Sequence, residues 1–437
     1  MISSIIFICI LLTGSFLFAR RVKTIRRNIL LGRDVDRSDN SSERWKTMAK
    51  VAMGQSKMGA RPIAAILHGL IYIGFVLINI EVLEIIIDGI FGTHRILAFT
   101  GSFYNFLIGF FEILAFLVLL ACVIFLIRRN LLPIKRFRMP EMKGWPKLDG
   151  NIILITEIAL MFALLSMNAA DALLQELGNA HYSQAGSFPI SYYLQPLYSG
   201  FSESGLIALE RSMWWFHIVG ILSFLVYVSY SKHFHIFLAF PNTYFSNLLP
   251  KGRFNNLESV TNEVKLMMDP SADPYAAPAE GAEPQRFGAK DATDLTWKQL
   301  MESYTCTECG RCSSVCPANM TGKKLSPRKI MMDTRDRIEE LGHAIDKKSE
   351  ADGKSLLGDY ISEEEIWACT SCNACVDACP VNIDPLSIIV DLRRYLIMEE
   401  SKSPESITTM FNNIENNGAP WAFPAADRGN WKDELQA

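Results

Sequence analysis

Five long apolar segments in the first 240 residues most constrain the fold of this 437-residue chain. A helix of about 20 apolar residues crosses the hydrocarbon of a bilayer. The first segment lacks a basic leader and a small-residue cleavage site, so we expect a retained anchor and not a signal peptide. The sequence therefore predicts five membrane-spanning helices, which lie at Ile2–Ala19, Ile63–Ile87, Phe103–Ile127, Ile152–Leu174 and Met213–Phe240.

Lysine and arginine are distributed unevenly over the loops between these segments. Arg20–Arg61 contains twelve of them and Arg128–Lys147 contains seven, whereas the other two loops contain only Arg95 and Arg211. Basic residues accumulate in cytoplasmic loops. We therefore expect a protein of the bacterial inner (cytoplasmic) membrane, with the N-terminus outside and the polar C-terminal half in the cytoplasm. The net charge of −3 gives no support for binding to nucleic acid.

Eight of the ten cysteines form two copies of the pattern C-x2-C-x2-C-x3-C-P. In such a pair of runs, three closely spaced thiolates hold one [4Fe–4S] cluster and the fourth thiolate belongs to the other run. Structural zinc is the alternative, but a zinc site has no use for this third cysteine and Cys-Pro, twice. Disulfides are disfavoured on a reducing side of the membrane. The predicted ligand sets are Cys306, Cys309, Cys312 and Cys379 for one cluster, and Cys369, Cys372, Cys375 and Cys316 for the other.

The rest of the chain shows helical spacing and no strand alternation, which predicts an all-α protein. Residues 1–250 form the membrane domain. Residues 251–294 form a tether and linker, because their middle is rich in proline, alanine and glycine. Residues 295–400 form an α-helical ferredoxin domain that contains both cysteine runs.

Histidines inside apolar segments are costly and indicate function. His217 and His235 are 18 residues apart. On one continuous helix they would lie on the same face, about 27 Å apart. The second and fifth segments run in opposite directions, so His68 and His235 reach the same depth near the cytoplasmic surface. This arrangement predicts the two axial imidazoles of a b-type haem.

A second haem near the outer surface would use His217. His94 is then the best partner and His181 a weaker one, while His233 is an alternative to His235 at the inner haem. A single histidine near a membrane interface is often only hydrogen-bonded. A haem-free iron–sulfur anchor therefore stays open as an alternative.

The membrane half resembles cytochrome b subunits related to the gamma subunit of respiratory nitrate reductase and the membrane subunit of heterodisulfide reductase. The similarity lies in His68 of LHGLIYIGF, His217 of WWFHIVG, and Ser231–His235 followed by Pro241. In that family the last helix carries two haem ligands at the spacing of His217 and His235. Its earlier helix usually supplies two histidines, whereas this chain has only His68 there. The resemblance thus implies one haem b, with a second possible.

The C-terminal half resembles the ferredoxin domain of heterodisulfide reductases and related membrane iron–sulfur oxidoreductases. Besides the cysteines, the shared features are Leu325-Ser-Pro-Arg-Lys and the segment from Asn412 to Trp421. In fused relatives this segment leads to a domain with Cys-Cys-Gly motifs. No Cys-Cys pair occurs in this chain. We therefore expect the catalytic part to be a separate polypeptide and residues 401–437 to dock it.

These features predict a membrane-anchored electron-transfer subunit of a quinone-linked oxidoreductase. Electrons would pass between a cytoplasmic partner, two [4Fe–4S] clusters, haem b and menaquinone. The resemblance implies that the partner is an electron-transfer flavoprotein or a Cys-Cys-Gly iron–sulfur subunit. Quinol oxidation coupled to disulfide reduction is the close alternative, and a redox sensor is an alternative from another class. No catalytic residue can be assigned from the sequence.

Overall fold

The computed structural model describes residues 2–182, 184–271, 286–349, 352–422 and 424–435. Within these ranges the chain is helical and has no β-strand, so the predicted all-α class is confirmed. Five helices are long and apolar enough to cross a membrane, and a helical soluble half follows them. The helices of the membrane half are α1 (Ile2–Ile29), α2 (Ser41–Met48), α3 (Pro62–Phe91), α4 (Ser102–Asn130), α5 (Trp145–Glu176), α6 (Gln195–Tyr198), α7 (Glu203–Val228), α8 (His235–Tyr244) and α9 (Glu258–Met268).

The long helices α3, α4, α5 and α7 pack side by side, and α1 lies against α3 and α7. Their shared core contains Phe111, Leu114, Leu164 and Ile218. Many apolar side chains on the opposite faces are exposed, as expected for helices that face lipid. The bundle is therefore built by packing along narrow seams between apolar helices.

The fifth predicted span differs from the structure at both ends. Helix α7 begins at Glu203, ten residues before the predicted start at Met213, and ends at Val228. After this end, the Ser231 hydroxyl accepts a hydrogen bond from the His233 amide and donates one to Asp149. Serine side chains compete with helical hydrogen bonds in this way. A 3-10 turn at Lys232–Phe234 follows, and the next α-helix starts at His235, so the argument that His217 and His235 share one face of a continuous helix is wrong.

The soluble half consists of short helices around one long helix. They are α10 (Trp297–Thr305), α11 (Arg311–Val315), α12 (Pro317–Met320), α13 (Pro327–Lys347), α14 (Glu363–Trp367), α15 (Ala374–Ala378), α16 (Pro385–Met398), α17 (Glu405–Asn417) and α18 (Trp431–Glu434). The predicted linker 251–294 contains α9, and its end packs on the ferredoxin fold, where the Ala289 amide donates to Asp391. Residues 272–285 of that linker lie outside the described residues.

The two halves share one hydrophobic core. Ile25 and Ile29 of α1 and Phe234 pack together with Leu295 and Leu300 of the soluble half. Polar contacts frame this core: Arg21 pairs with Glu339 at 2.7 Å, and the Asn28 amide donates to the Tyr304 hydroxyl at 2.9 Å. Because of these contacts, α1 continues ten residues beyond the predicted end of its span. We call the end of the bundle that contacts the soluble half the inner end, and the opposite end the outer end.

Candidate metal centres

The eight cysteines of the two runs surround two separate cavities. Each takes three cysteines from one run and the fourth from the other, which is the exchange that the spacing predicts. The first is lined by Cys306, Cys309, Cys312 and Cys379, and the second by Cys369, Cys372, Cys375 and Cys316.

The two runs have the same backbone conformation. Glu308 and Gly310 in the first run have positive φ, and so do Ser371 and Asn373 at the matching positions of the second run. Two left-handed residues per loop bend the chain around its cavity. In both runs a short helix then ends just before the fourth cysteine, at Val315 and at Ala378. The sequence repeat is therefore also a structural repeat.

The surroundings of the thiols fit an iron–sulfur cluster. Burial raises the pKa of Cys306 to about 12 and that of Cys379 to about 11, so deprotonation at neutral pH requires bound metal. The Ile383 amide donates to the Cys379 sulfur at 3.3 Å, and such hydrogen bonds tune cluster potentials. Among the described residues, no group of three or more histidine, cysteine, aspartate or glutamate side chains is arranged to hold a single metal ion. Four thiols around a cavity suit a cluster of several irons better than one metal ion.

The first cavity lies against the membrane half. Arg311 donates to the Lys57 carbonyl at 3.2 Å, and the buried Arg328 donates to the Arg136 carbonyl at 2.7 Å. Cys372 of the second cavity is exposed to solvent. The first cavity thus contacts the membrane half, and the second has a ligand residue at the surface of the soluble half.

The structure brings His68 and His235 together at the inner end. Their ring centroids are 6.4 Å apart. Metal–imidazole bonds are about 2 Å long, so two rings on opposite sides of one iron have centroids roughly 6 Å apart. His68 Nδ1 lies 3.1 Å from Gln55 Oε1, and His235 Nδ1 lies 3.2 Å from the Lys232 carbonyl. Because an oxygen accepts in both contacts, Nδ1 carries the proton and Nε2 has the free lone pair, as in histidines that bind metal.

His233 is a third imidazole at the inner end. Its ring lies 5.3 Å from that of His235, nearly perpendicular to it, and 5.7 Å from that of Phe224. His68 of α3 and His235 of α8 therefore form the pair between two helices, and His233 packs beside His235. This geometry favours His235 over His233 as the partner of His68.

The predicted outer pair of His94 and His217 is not formed. His217 lies 14 residues into α7, about 21 Å from the start of this helix, and its Nδ1 contacts the Leu160 carbonyl at 2.9 Å. His94 lies beyond the end of α3, with Nε2 3.6 Å from Asp171 and its ring 5.4 Å from that of His181. The prediction placed His217 near the outer surface because it started the fifth span too late.

Buried polar groups at the outer end satisfy one another. Arg95 pairs with Asp171 at 2.7 Å and donates to Asn168 at 3.0 Å. The Asn168 amide in turn donates to Glu112 at 3.0 Å, and the Glu112 carboxylate accepts from the Ser191 amide at 3.2 Å. Charged groups buried within a membrane protein are paired in this manner. This network connects α4, α5 and the adjoining loops.

Sequence reasoning missed three residues that support the inner site, namely Gln55, Lys232 and Glu308. Gln55 holds His68 from a loop outside the apolar segments. The Glu308 carboxylate lies inside the first cysteine run and contacts Lys232 and Arg335. Burial raises its pKa, but these two cations outweigh that effect and hold the pKa of Glu308 below its usual value. In the sequence, the acidic residue between Cys306 and Cys309 was the signal that could have indicated this contact.

Residues 305–383 match the family described as 4Fe-4S dicluster domain. This part of the chain is a 4Fe-4S dicluster domain. Its residues include all eight cysteines of the two cavities, so the 4Fe-4S dicluster domain supplies the cluster-binding part of the protein. No solved structure matches the chain.

Curated relatives match most of the chain. The "Probable iron-sulfur-binding oxidoreductase FadF" of Bacillus subtilis is 30% identical over 99% of this chain and 61% of its own length. The "EtfAB:quinone oxidoreductase" of Syntrophomonas wolfei is 27% identical over 92% of this chain and 55% of its own length. The chain thus spans a little over half the length of these two proteins.

Other relatives match a smaller part of the chain. A "Probable membrane-anchored ferredoxin" of Chromohalobacter salexigens is 32% identical over 34% of this chain and 24% of its own length. Subunits of heterodisulfide reductases match about a quarter to a third of the chain. The relatives of this chain are therefore iron–sulfur oxidoreductases and heterodisulfide reductase subunits. Together with the five apolar helices, they make it a membrane protein that binds 4Fe–4S clusters.

Proposed function

We propose that this chain is the membrane-anchored electron-transfer subunit of a quinone-linked oxidoreductase. One observation carries the proposal: the imidazoles of His68 and His235 lie 6.4 Å apart at the inner end, where the membrane half also contacts Arg311 of the first cavity. The loop that holds His68 through Gln55 also contacts that cavity, because its Lys57 carbonyl accepts from Arg311. Such proximity favours electron exchange between the cluster domain and the membrane.

The proposed ligand sets are those that line each cavity and the inner histidine pair. When bound, the two clusters and a haem b supply one-electron carriers. The protein holds the thiols and fixes the histidine tautomers. Cys372 makes the second cavity the accessible one. We therefore place the contact with the external redox partner at the second cavity and the contact with the membrane at the first.

The proposed orientation rests on the basic loops. The loops at Arg20–Arg61 and Arg128–Lys147 both contact the soluble half, for example where Arg61 donates to Ser314 at 2.6 Å. The basic loops and the cluster domain thus lie on the same side of the bundle. Since basic loops favour the cytoplasm, we propose that this side is cytoplasmic and that the N-terminus lies outside the inner membrane.

For the partner we propose an electron-transfer flavoprotein that delivers electrons toward menaquinone. The relative named as an EtfAB:quinone oxidoreductase supports this choice. A Cys-Cys-Gly iron–sulfur subunit is the other partner to test, since heterodisulfide reductase subunits are also relatives. Residues 401–437 are the proposed docking segment. Their helix α17 exposes Phe411 and Ile414.

A haem-free membrane-anchored ferredoxin is the second candidate function. The relative with that name supports it, although the match covers 34% of this chain. This candidate uses every feature of the soluble half but gives the inner histidines no role. A redox sensor would likewise need no rapid exchange of electrons with quinone.

Purified full-length protein separates these candidates. We expect about eight irons per chain, as two [4Fe–4S] clusters require. We also expect a b-type absorption band after dithionite reduction, and a change in that band within one turnover time when a menaquinone analogue is added. Iron without porphyrin would leave the anchor, and a band that does not respond to quinone would favour the sensor. Zinc in place of iron would overturn the proposal.

A further inference from the structure

Lys232 contacts both candidate centres with different parts of one residue. Its ammonium group donates to the Glu308 carboxylate and to the Pro146 carbonyl. Its backbone carbonyl lies 3.2 Å from His235 Nδ1. The side chain is 7% exposed, so water does not compete strongly for these contacts. A single residue thus connects the first cysteine run with one histidine of the inner pair.

Glu308 is the residue of the first run that receives this contact. It lies between Cys306 and Cys309, has φ of 55°, and is buried. A residue other than glycine keeps a left-handed backbone when its surroundings hold it there. Lys232 from the membrane half and Arg335 from the soluble half hold Glu308 together, with Arg335 at 2.8 Å.

The second cysteine run has a different residue at the matching position. Ser371 has nearly the same φ, 54°, but its hydroxyl accepts from Arg393, which belongs to the soluble half. Arg393 also donates to the Ile366 carbonyl at 3.0 Å. Ser371 is therefore held from within its own half, whereas Glu308 is held from the membrane half as well.

We infer that Lys232 is a positioning residue that couples the geometry of the first cysteine run to that of the inner histidine pair. This inference rests on the proposed function, because it assigns the pair to a haem. A fixed hydrogen bond at Nδ1 orients the imidazole and keeps Nε2 free for metal. Without the ammonium group, Glu308 and the buried Asp149, 3.8 Å from Lys232 Nζ, would both face the gap. Segment 231–235 would then shift, and the Cys306–Cys309 loop with it.

The test compares Lys232→Met and Glu308→Gln with Lys329→Met in the full-length protein. Lys329 is a matched control, because it also bridges two carboxylates, Asp333 at 2.7 Å and Glu365 at 2.9 Å, but inside the soluble half. The readouts are the electron paramagnetic resonance of the oxidised haem, the same measurement on the reduced clusters, and haem retention. Glu308→Gln keeps the shape of the side chain but removes its charge. If Lys232→Met does not fold, this variant tests the coupling alone.

We expect both test variants to shift the haem signal and the signal of one cluster together, with haem affinity about 10-fold lower. The other cluster signal should stay unchanged, and Lys329→Met should leave the haem signal at its wild-type position. A variant that shifts only one of the two centres, or neither, overturns the inference. A wild-type protein without haem overturns both the haem proposal and this inference, whereas unchanged haem in the variants overturns this inference alone.

Discussion

The inner and outer ends of the membrane bundle both contain half-buried histidines, but these have different partners. At the inner end, Nδ1 of His68 contacts Gln55, and Nδ1 of His235 contacts the Lys232 carbonyl. Their Nε2 atoms remain available on rings that face each other. At the outer end, the Asp171 carboxylate contacts His94, whereas His217, the other histidine of the predicted pair, contacts the Leu160 carbonyl. A second imidazole at ligand distance, together with a free Nε2, therefore distinguishes the candidate haem site, since Nδ1 of His217 also contacts a carbonyl.

The largest expected effect follows from removing either imidazole of the inner pair, compared with removing one at the outer end. His68→Ala or His235→Ala should abolish the b-type band of dithionite-reduced protein, because each removes one of two axial ligands. His94→Ala and His217→Ala should keep the whole band. Optical spectra, normalised to the iron of the clusters, make this comparison. Loss of about half the band in His217→Ala would show a second haem and would break the distinction between the two ends.

A second prediction concerns the stability of the outer network. Arg95→Leu leaves Asp171 buried without its cation, which should cost about 3–5 kcal/mol of folding free energy. Thermal unfolding in detergent measures the loss, while the haem content of the folded fraction should not change. The exposed Lys46, which pairs with Glu43 at 3.7 Å, serves as control, and Lys46→Ala should leave the unfolding temperature unchanged. A lower haem content in Arg95→Leu would argue that the outer end also supports a haem.

A smaller effect is expected at Gln55, which does not touch the metal. Gln55→Leu removes the acceptor for His68 Nδ1 and should lower haem affinity by about 10-fold to 100-fold. Haem titration of the apoprotein measures this change. Gln175→Leu is the matched control, because Gln175 donates to Asp171 at 3.1 Å at the outer end. Equal effects of the two substitutions would mean that general destabilisation, and not the orientation of His68, explains the result.

The smallest expected effect is that of His233→Ala. This substitution removes ring contacts with Phe224 and His235, which should cost about 1 kcal/mol. The b-type band should remain at full intensity, since His68 and His235 are both present. Loss of the band in this variant, together with its retention in His235→Ala, would exchange the roles of the two histidines.

The spacing of the cysteines predicted the two cavities well, because short-range motif geometry fixes them. Each run wraps its own cavity, and the exchange of Cys316 and Cys379 follows from the same local turns. The five spans were also predictable from their apolar content, and the fold class with them. Local sequence therefore determines both the cluster sites and the number of crossings.

The break between His217 and His235 could not be predicted from the same kind of reasoning. The apolar character of the chain continues past Val228, so the sequence alone indicates a helix up to Phe240. The break depends on Asp149, more than 70 residues away, which accepts from Tyr227 and Ser231. Lys232 and Glu308 likewise meet only through tertiary contact. Errors of a few turns in depth arise where long-range contacts override local helical preference.

The core that Ile25 and Phe234 share with Leu300 has a consequence for how electrons reach the bilayer. A carrier on a loose tether must swing between its donor and acceptor, and this search can limit the rate. Here the shared core holds the cluster domain directly against the inner end of the bundle. Turnover should then be paced by how often a redox partner collides with the face around Cys372.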